Sequence, residues 1–162
     1  MKKLYLITGP SSVGKSTVSK EIAKKCGRSA LIDGDDVYNL IVGSYVSPWK
    51  EGNHLSLFWK ISIDIIRNCL EADYDVIFNY IITPEDFAVL LEHFPEENVK
   101  LTVLMADEET VRARDKQRPA ECQMGERAIL LLNDLKKHYD GTHYTLDTTN
   151  MTIDQIVNKI IK

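Results

Sequence analysis

Short apolar runs alternate with longer amphipathic segments along this chain. Five runs, each bounded by polar residues, glycine or proline, are typical of strands buried on both faces of a sheet. They are Leu4–Ile7, Ala30–Ile32, Val76–Phe78, Leu101–Met105 and Tyr144–Leu146. Because helical segments separate the runs, the pattern predicts an α/β fold with a five-stranded parallel sheet and helices on both of its faces.

Two of the segments between these runs are harder to assign. The stretch from His54 to Leu70 contains neither glycine nor proline, so its length favours a helix, although the isoleucines of Ile61–Ile65 alternate as in a strand. A further helix is predicted to begin in the acidic stretch Asp33–Asp36 and to extend through Leu40 and Ile41. The aromatic residues Phe58 and Trp59 then lie at helical spacing, and we expect both in the core.

Local signals mark several helix starts. Thr83 is a predicted N-cap followed by Pro84 in the first turn, and Asp107 begins the next helix by the same logic. Thr152 and Gln155 have the spacing of a capping box ahead of an apolar face. These starts place one helix after each of the last three predicted strands, and the last of these helices closes the chain.

Composition limits the class of protein more than it identifies one. The 162 residues suit a single domain, and the formal net charge of −4 argues against a general nucleic-acid or membrane binder. Three widely spaced cysteines without a metal pattern, and the lack of a long apolar segment, lead us to expect a cytoplasmic protein without membrane contact. A monomer and a homodimer are both compatible with the sequence.

The first apolar run leads into a phosphate-binding motif. Gly9-Pro10-Ser11-Ser12-Val13-Gly14-Lys15-Ser16 fits G-x-x-x-x-G-K-[ST], the Walker A loop, between a predicted strand and a predicted helix. In that motif backbone N–H groups surround phosphate oxygens, the lysine contacts the β- and γ-phosphates, and the serine hydroxyl ligates Mg²⁺. The residues expected to bind the nucleotide phosphates here are Gly9, Ser11, Ser12, Val13, Gly14, Lys15, Ser16 and Thr17.

An acidic cluster follows the second apolar run. Phosphoryl transfer needs a carboxylate to orient and deprotonate the attacking hydroxyl, and oxygen ligands for Mg²⁺ or its waters. We predict Asp35 as the base and Asp33, with Ser16, as part of the magnesium site. The alternative is structural, since Asp35 or Asp36 would also serve as a helix N-cap, and for Asp36 we favour the cap.

A basic segment and a late polar loop complete the candidate nucleotide site. Arg112, Arg114, Lys116 and Arg118 precede an interruption between Pro119 and Gly125. Such a run is usually a solvated helix face, but arginines on a mobile segment can also close over a nucleotide. We predict that Arg114 and Arg118 contact the nucleotide and that Arg118 assists catalysis. The loop Asp147–Asn150, through Thr148, either contacts adenine or is a plain turn.

Together these motifs resemble the P-loop small-molecule kinases, the group of shikimate and gluconate kinases, and in particular chloramphenicol phosphotransferase-like proteins. The resemblance rests on the Walker A loop, on Gly34-Asp35, and on the spacing of Arg114 and Arg118. It implies a P-loop NTPase three-layer α/β/α fold with strand order 2-3-1-4-5, ATP and Mg²⁺ as cofactors, a lid at about 114–126 and an acceptor-binding region at about 35–82. One departure is Asn79-Tyr80, where the antibiotic kinases have acids.

The acceptor is expected to be a small, neutral or cationic molecule with a hydroxyl, such as a sugar, a nucleoside or an antibiotic-like alcohol. Between Ala30 and Val99 the full cations are Lys50, Lys60 and Arg67, against thirteen acids. Enzymes that accept anionic substrates usually hold them with several arginines. The residues expected to meet the acceptor are Asp35, Tyr45, Trp49, Asn79, Tyr80 and Arg127.

Three other functions share some of these features. A nucleoside monophosphate kinase needs more acceptor-side arginines than this sequence offers. A polynucleotide 5′-hydroxyl kinase needs a basic groove, which the net charge disfavours. A GTP-dependent switch generally carries D-x-x-G and N-K-x-D elements, and neither occurs in the sequence. ATP-dependent transfer to an alcohol is therefore the function that the sequence predicts.

Overall fold

A computed structural model describes residues 2–162. The strands are β1 (Leu4–Thr8), β2 (Ser29–Asp33), β3 (Asp75–Asn79), β4 (Val99–Met105) and β5 (Thr145–Asp147). The helices are α1 (Lys15–Lys25), α2 (Gly34–Tyr38), α3 (Leu55–Glu71), α4 (Pro84–His93), α5 (Glu108–Lys116), α6 (Glu126–Tyr139) and α7 (Ile153–Ile161). Single 3₁₀ turns lie at Glu96–Asn98 and Ala120–Cys122.

The five strands form one parallel sheet in the order β2-β3-β1-β4-β5. Leu4 of β1 pairs with Val76 on one side and Val99 on the other, so β1 is central. All five residues of β1 are buried, as its unbroken apolar sequence requires. The predicted α/β/α class and strand order are confirmed, and the carboxyl ends of β1, β2 and β3 meet at one edge of the sheet.

The helices cover the sheet in pairs: α1 packs beside α7, α2 beside α3, and α5 beside α6. The predicted cap at Thr83 and the predicted capping box at Thr152 are present: each threonine hydroxyl accepts the N–H of the third helical residue, and each threonine backbone N–H donates to the side chain of that residue. The Asp107 carboxylate caps α5 by accepting the Thr110 N–H. Among residues 2–162, no helix combines the length and the apolar run that crossing a bilayer would require.

The segment between β2 and α3 differs from the sequence-based prediction. The predicted helix through Leu40 and Ile41 ends at Tyr38, because the N–H groups of Leu40 and Ile41 bond three residues back at 3.3 Å and Leu40 turns outward, 63% exposed. The N-cap of this helix is Asp33, not Asp35 or Asp36 as considered above. The helix predicted over 54–70 is confirmed, and the last strand lies one residue later than expected.

Candidate active site

The loop between β1 and α1 has the backbone that a phosphate cradle needs. Gly9 has φ +144°, and a Cβ there would lie 2.3 Å from the Leu104 carbonyl oxygen, so only glycine fits. Gly14 has φ +104° at the N-cap of α1. Ser12 adopts φ +64°, an uncommon conformation for a residue with a side chain. Loops of this kind turn successive N–H groups toward an anion, beside the positive end of the helix dipole.

Lys15 is the first residue of α1 and bends back over this loop. Its Nζ donates to the carbonyl oxygens of Gly9 at 3.0 Å and Pro10 at 2.9 Å. Burial lowers the pKa of Lys15 to about 8, while the Asp35 and Asp33 carboxylates act in the opposite direction. The ammonium group is therefore held near the loop by weak neutral acceptors, which phosphate oxygens would outcompete.

The acidic cluster lies at the carboxyl end of β2, facing the same loop. Asp33 accepts the Asp35 N–H at 3.1 Å and the Ser16 hydroxyl at 3.4 Å, so it is both a helix cap and a neighbour of the Walker serine. With Asp33 as the cap, the Asp35 carboxylate is left open to the cavity. The cavity walls desolvate this carboxylate and raise its pKa; Asp33 adds to the shift and Lys15 opposes it.

Gly34, between the two acids, packs against the ring of Tyr80. A Cβ on Gly34 would lie 2.5 Å from Tyr80 Cδ2, so the segments around Gly34 and Tyr80 approach this closely only because residue 34 is glycine. Tyr80 follows β3 and is buried, and burial raises the pKa of its hydroxyl, with Asp35 adding to the effect. This contact joins the start of α2, which carries Asp35, to the aromatic wall of the cavity.

The basic segment divides into residues that face the phosphate loop and one that does not. Arg118 Nη1 donates to Ser11 Oγ at 3.0 Å, and Arg114 Nη1 donates to the Val13 carbonyl at 3.2 Å. Arg112 instead pairs with Glu108 and Glu126 on the protein surface. The structure thus brings Arg114 and Arg118 to the loop.

Asp115 is a further residue at the loop whose importance sequence reasoning missed. Its buried carboxylate accepts hydrogen bonds from Ser12, Met124 and Gly125. In the sequence it is one acid within a basic run, and nothing in its neighbours distinguishes it from a solvated residue.

One cavity of about 830 Å³ runs from the phosphate loop to the first turns of α3, where Leu55 and Trp59 line it. Many of the predicted site residues line it together: Ser11, Ser12, Val13, Gly14, Lys15, Ser16, Thr17, Asp35, Trp49, Asn79, Tyr80, Arg114, Arg118 and Arg127. Its volume suits the ordinary range for small-molecule sites. Most of the candidate phosphate, base and acceptor residues therefore line one cavity.

The acceptor side of this cavity contains two donors that lack partners within the described residues. Asn79 is 3% exposed at the end of β3, and its Nδ2 has no hydrogen-bond partner. Arg127, in the first turn of α6, stacks its guanidinium 3.8 Å from the centre of the Trp49 ring, and its buried Nε is also unpaired. Because buried polar groups usually have partners, both donors point to a ligand with acceptor oxygens.

Four predicted site residues lie apart from the cavity lining: Gly9 in the phosphate loop, Asp33 beside Ser16, Tyr45 and Thr148. Tyr45 packs edge-on against the Tyr38 ring, 5.8 Å between centroids, and is half exposed. Thr148 is fully buried, and its hydroxyl donates to the Met105 carbonyl at 2.9 Å. Their roles in binding stay predictions.

Several apolar side chains that sequence reasoning missed line the cavity. Phe58 is buried in the core as expected, whereas its neighbour Trp59 is half-buried and reaches the acceptor side. Residues beyond the prediction include Leu55, Trp59, Met124, Leu131, Met151, Ile153 and Ile156. Each sits on an amphipathic helix or beside one, so the apolar pattern that identified the helix also concealed its contact with the cavity.

A magnesium ion fits this site only with help from a nucleotide. No cluster of three or more His, Cys, Asp or Glu suited to a metal occurs among residues 2–162. Ser16 and Asp33, whose oxygens lie 3.4 Å apart, supply two oxygen donors beside the phosphate loop. Mg²⁺ is usually held in this way, by one or two protein oxygens with phosphates and waters completing its six ligands.

The comparison with family models agrees with this site. A family model described as an AAA domain matches residues 4–140, which include the phosphate loop and both candidate lid arginines. The chain belongs to this AAA-domain family. The predicted P-loop resemblance is thereby confirmed. No curated protein sequence matches this AAA-domain chain significantly.

Solved structures share the fold over nearly its whole length. A sugar kinase from Janibacter sp. HTCC2649 superposes with a TM-score of 0.70 at 16% identity, covering 98% of this chain and 92% of the other. A gluconokinase from Sinorhizobium meliloti 1021 gives 0.69 at 21% identity, with 98% and 89% covered. The tunicamycin resistance protein of Deinococcus radiodurans gives 0.68 at 16% identity, with 99% and 94% covered. At these identities the likeness is one of fold.

Proposed function

We propose that this AAA-domain protein is an ATP- and Mg²⁺-dependent kinase that transfers the γ-phosphoryl group to a hydroxyl of a small, neutral or cationic molecule. The observation that carries the proposal is the placement of Asp35 and Lys15 in one cavity, with the open carboxylate facing the loop that would hold the triphosphate. The sugar kinase, gluconokinase and resistance protein that share the fold support it by analogy.

The reaction follows from these positions. The acceptor hydroxyl lies between Asp35 and the γ-phosphorus; its proton passes to the Asp35 carboxylate as its oxygen forms the new O–P bond. The bond from the γ-phosphorus to the β,γ-bridging oxygen breaks, and ADP leaves. A base works best when its pKa approaches the working pH, and the raised pKa of Asp35 is a shift in that direction.

Charge on the phosphates is offset by Lys15, Arg114 and Arg118, all of which contact the phosphate loop. Ser16 and Asp33 would hold Mg²⁺ beside the phosphates, where the ion would supply positive charge to offset the charge that develops in the transfer. The stretch 114–126 acts as the lid and 35–82 as the acceptor-binding region of a single kinase domain.

The acceptor side supports a small molecule with several oxygens. Trp49, Trp59 and Tyr80 provide aromatic surface for a ring, and Asn79 and Arg127 provide donors. Arg127 comes from α6, outside the acid-rich stretch from Ala30 to Val99. It brings a single positive charge to the acceptor side of the cavity. One arginine stacked on tryptophan suits an oxygen acceptor on a neutral ring better than a phosphate, which is usually held by several cations.

The test is an ATP-consumption assay against a panel of sugars, nucleosides, aminoalcohols, hydroxylated antibiotics, nucleoside monophosphates and a 5′-hydroxyl oligonucleotide. We expect turnover with a neutral or cationic alcohol and its loss in Asp35→Asn, with the exposed neighbour variant Asp36→Asn as control. Turnover with a monophosphate or the oligonucleotide alone would identify one of those kinases instead. Tight nucleotide binding without turnover on any alcohol would favour a switch module.

A further inference from the structure

Asp115 has no part in the mechanism above, yet its carboxylate connects three separate pieces of the nucleotide site. We propose that Asp115 is a positioning residue that holds Arg118 and the phosphate loop in the geometry that binds a triphosphate. The proposal rests on the proposed function in one respect, that the loop Gly9–Ser16 is where ATP binds.

The first connection runs to the phosphate loop itself. Ser12 Oγ donates to Asp115 Oδ1 at 2.8 Å, across 103 positions of sequence. Ser12 is the loop residue with φ +64°, a conformation that residues with a side chain adopt only when their surroundings hold it. The conformation of Ser12 sets the directions of the N–H groups that follow it. Asp115 therefore stabilises the backbone shape on which phosphate binding depends.

The second connection runs to the far end of the predicted lid. The Asp115 carboxylate accepts the N–H groups of Met124 at 3.0 Å and Gly125 at 2.8 Å, immediately before α6. Asp115 itself belongs to α5, so its side chain brings together the two ends of residues 116–124. A loop whose ends are joined has fewer conformations to lose when it contacts a ligand.

The third connection concerns Arg118, which lies within that joined loop. The Arg118 N–H bonds to the Asp115 carbonyl at 3.1 Å, and its guanidinium lies 3.9 Å from the Asp115 carboxylate while donating to Ser11 Oγ. The acid thus holds the arginine and the loop that the arginine contacts. Removing the Asp115 carboxylate leaves the Arg118 guanidinium present but takes away the charge that orients it.

The carboxylate remains charged in this setting. Burial alone would raise the pKa of Asp115, but the hydrogen bonds from Met124, Ser12 and Gly125, together with Arg118, bring it below its usual value. Asparagine in its place would present an NH₂ group to some of these donors and lose the charge-assisted bonds. Since bonds to a charged group are the stronger class, we expect a measurable loss of positioning.

The experiment measures binding of Mg-ATP and of AMP by calorimetry to wild type, Asp115→Asn, Arg118→Ala and the double variant, with thermal unfolding of each. Asp134→Asn, an exposed acid on α6, is the matched control for charge. We expect Asp115→Asn to weaken ATP about tenfold and AMP less than about twofold, because AMP lacks the β- and γ-phosphates that the loop and Arg118 contact. In the Arg118→Ala background the same change should weaken ATP less than about threefold.

Equal weakening of ATP and AMP, an unchanged ATP affinity in a folded Asp115→Asn protein, or multiplicative effects of the two substitutions would each overturn the proposal. If Asp115→Asn does not fold, Ser12→Ala cuts one of the three connections. It should weaken ATP binding about threefold and leave AMP binding unchanged. Equal weakening of ATP and AMP binding would count against the proposal. ATP binding without phosphorylation of any acceptor would refute the proposed function and leave this inference standing, whereas a wild type that binds no ATP would refute both.

Discussion

The proposed nucleotide half of the cavity is built mainly from backbone, whereas the proposed acceptor half is built from side chains. On the nucleotide side, glycines and a helix start place N–H groups, and Lys15 sits within the same short motif. On the acceptor side, Trp49, Asn79 and Arg127 come from a loop, a strand end and a distant helix. Backbone cradles suit an invariant group such as phosphate. Side-chain pockets can be rebuilt for a new acceptor without disturbing the cradle.

The two halves meet at Asp35, and the largest expected effect is there. Asp35→Asn keeps the size of the side chain but removes the base, so we expect kcat to fall about a thousandfold while ATP affinity changes less than about twofold. Steady-state kinetics and calorimetry separate the two quantities. Asp36→Asn, an exposed neighbour, should retain full activity, and an equal loss in both variants would contradict the assignment.

A pH series addresses the nucleotide half alone. Lys15 has a pKa of about 8 in the free protein, and bound phosphates raise it, so binding takes up a proton above pH 8. Through Lys15, ATP affinity should fall only about twofold between pH 7 and 8 and then by up to about tenfold per pH unit. Calorimetry in buffers of different ionisation enthalpy measures the uptake.

Lys15→Met is the control for the pH series. It should bind ATP more weakly throughout and lose the decline above pH 8. A decline that persists in this variant would assign the titration to another group.

A substitution at Arg127 addresses the acceptor half alone. Arg127→Ala removes the stack on Trp49 and one donor, so we expect the KM for the best acceptor to rise about tenfold with the KM for ATP unchanged. Arg127→Lys keeps the charge but loses the planar stack, so its KM for the acceptor should lie between those of the wild type and Arg127→Ala. Equal changes in both KM values would place Arg127 on the nucleotide side.

The smallest effect is expected in stability, at the contact that joins the two halves. Gly34→Ala would force a Cβ to 2.5 Å from Tyr80, costing about 1–3 kcal/mol of unfolding free energy, or a fall in Tm of about 2–10 °C. Gly43→Ala is matched, because a Cβ there meets no atom within 4 Å. Thermal unfolding compares the two variants, and equal Tm values would show that the Tyr80 contact can relax.

The conformation of the phosphate loop was predictable because the information for it is local. Strand, glycine turn, lysine and helix are contiguous, so one motif specifies backbone shape and chemistry together. The capping threonines were likewise readable, since each cap depends on residues three positions apart. The end of α2 was not predictable in this way, because the apolar Leu40 and Ile41 continue the helical spacing although the helix ends at Tyr38.

The acceptor half was predicted only in part. Trp49, Asn79 and Tyr80 were identified from their region, but Trp59 has the same spacing as the core residue Phe58, and only packing shows that one faces the cavity. The partnership of Trp49 with Arg127 spans more than seventy positions. No local pattern distinguishes such an arginine from one exposed to solvent.

By itself the sequence determined the alternating α/β order, the parallel sheet and the phosphate loop, because hydrophobic period and turn chemistry act over a few residues. Only the tertiary structure decided that Asp33 rather than Asp35 caps α2, that Asp115 reaches Ser12, and that Arg127 lies on Trp49. The physical reason is range. A buried carboxylate or a stacked arginine is selected by partners that the folded sheet brings together from distant parts of the chain.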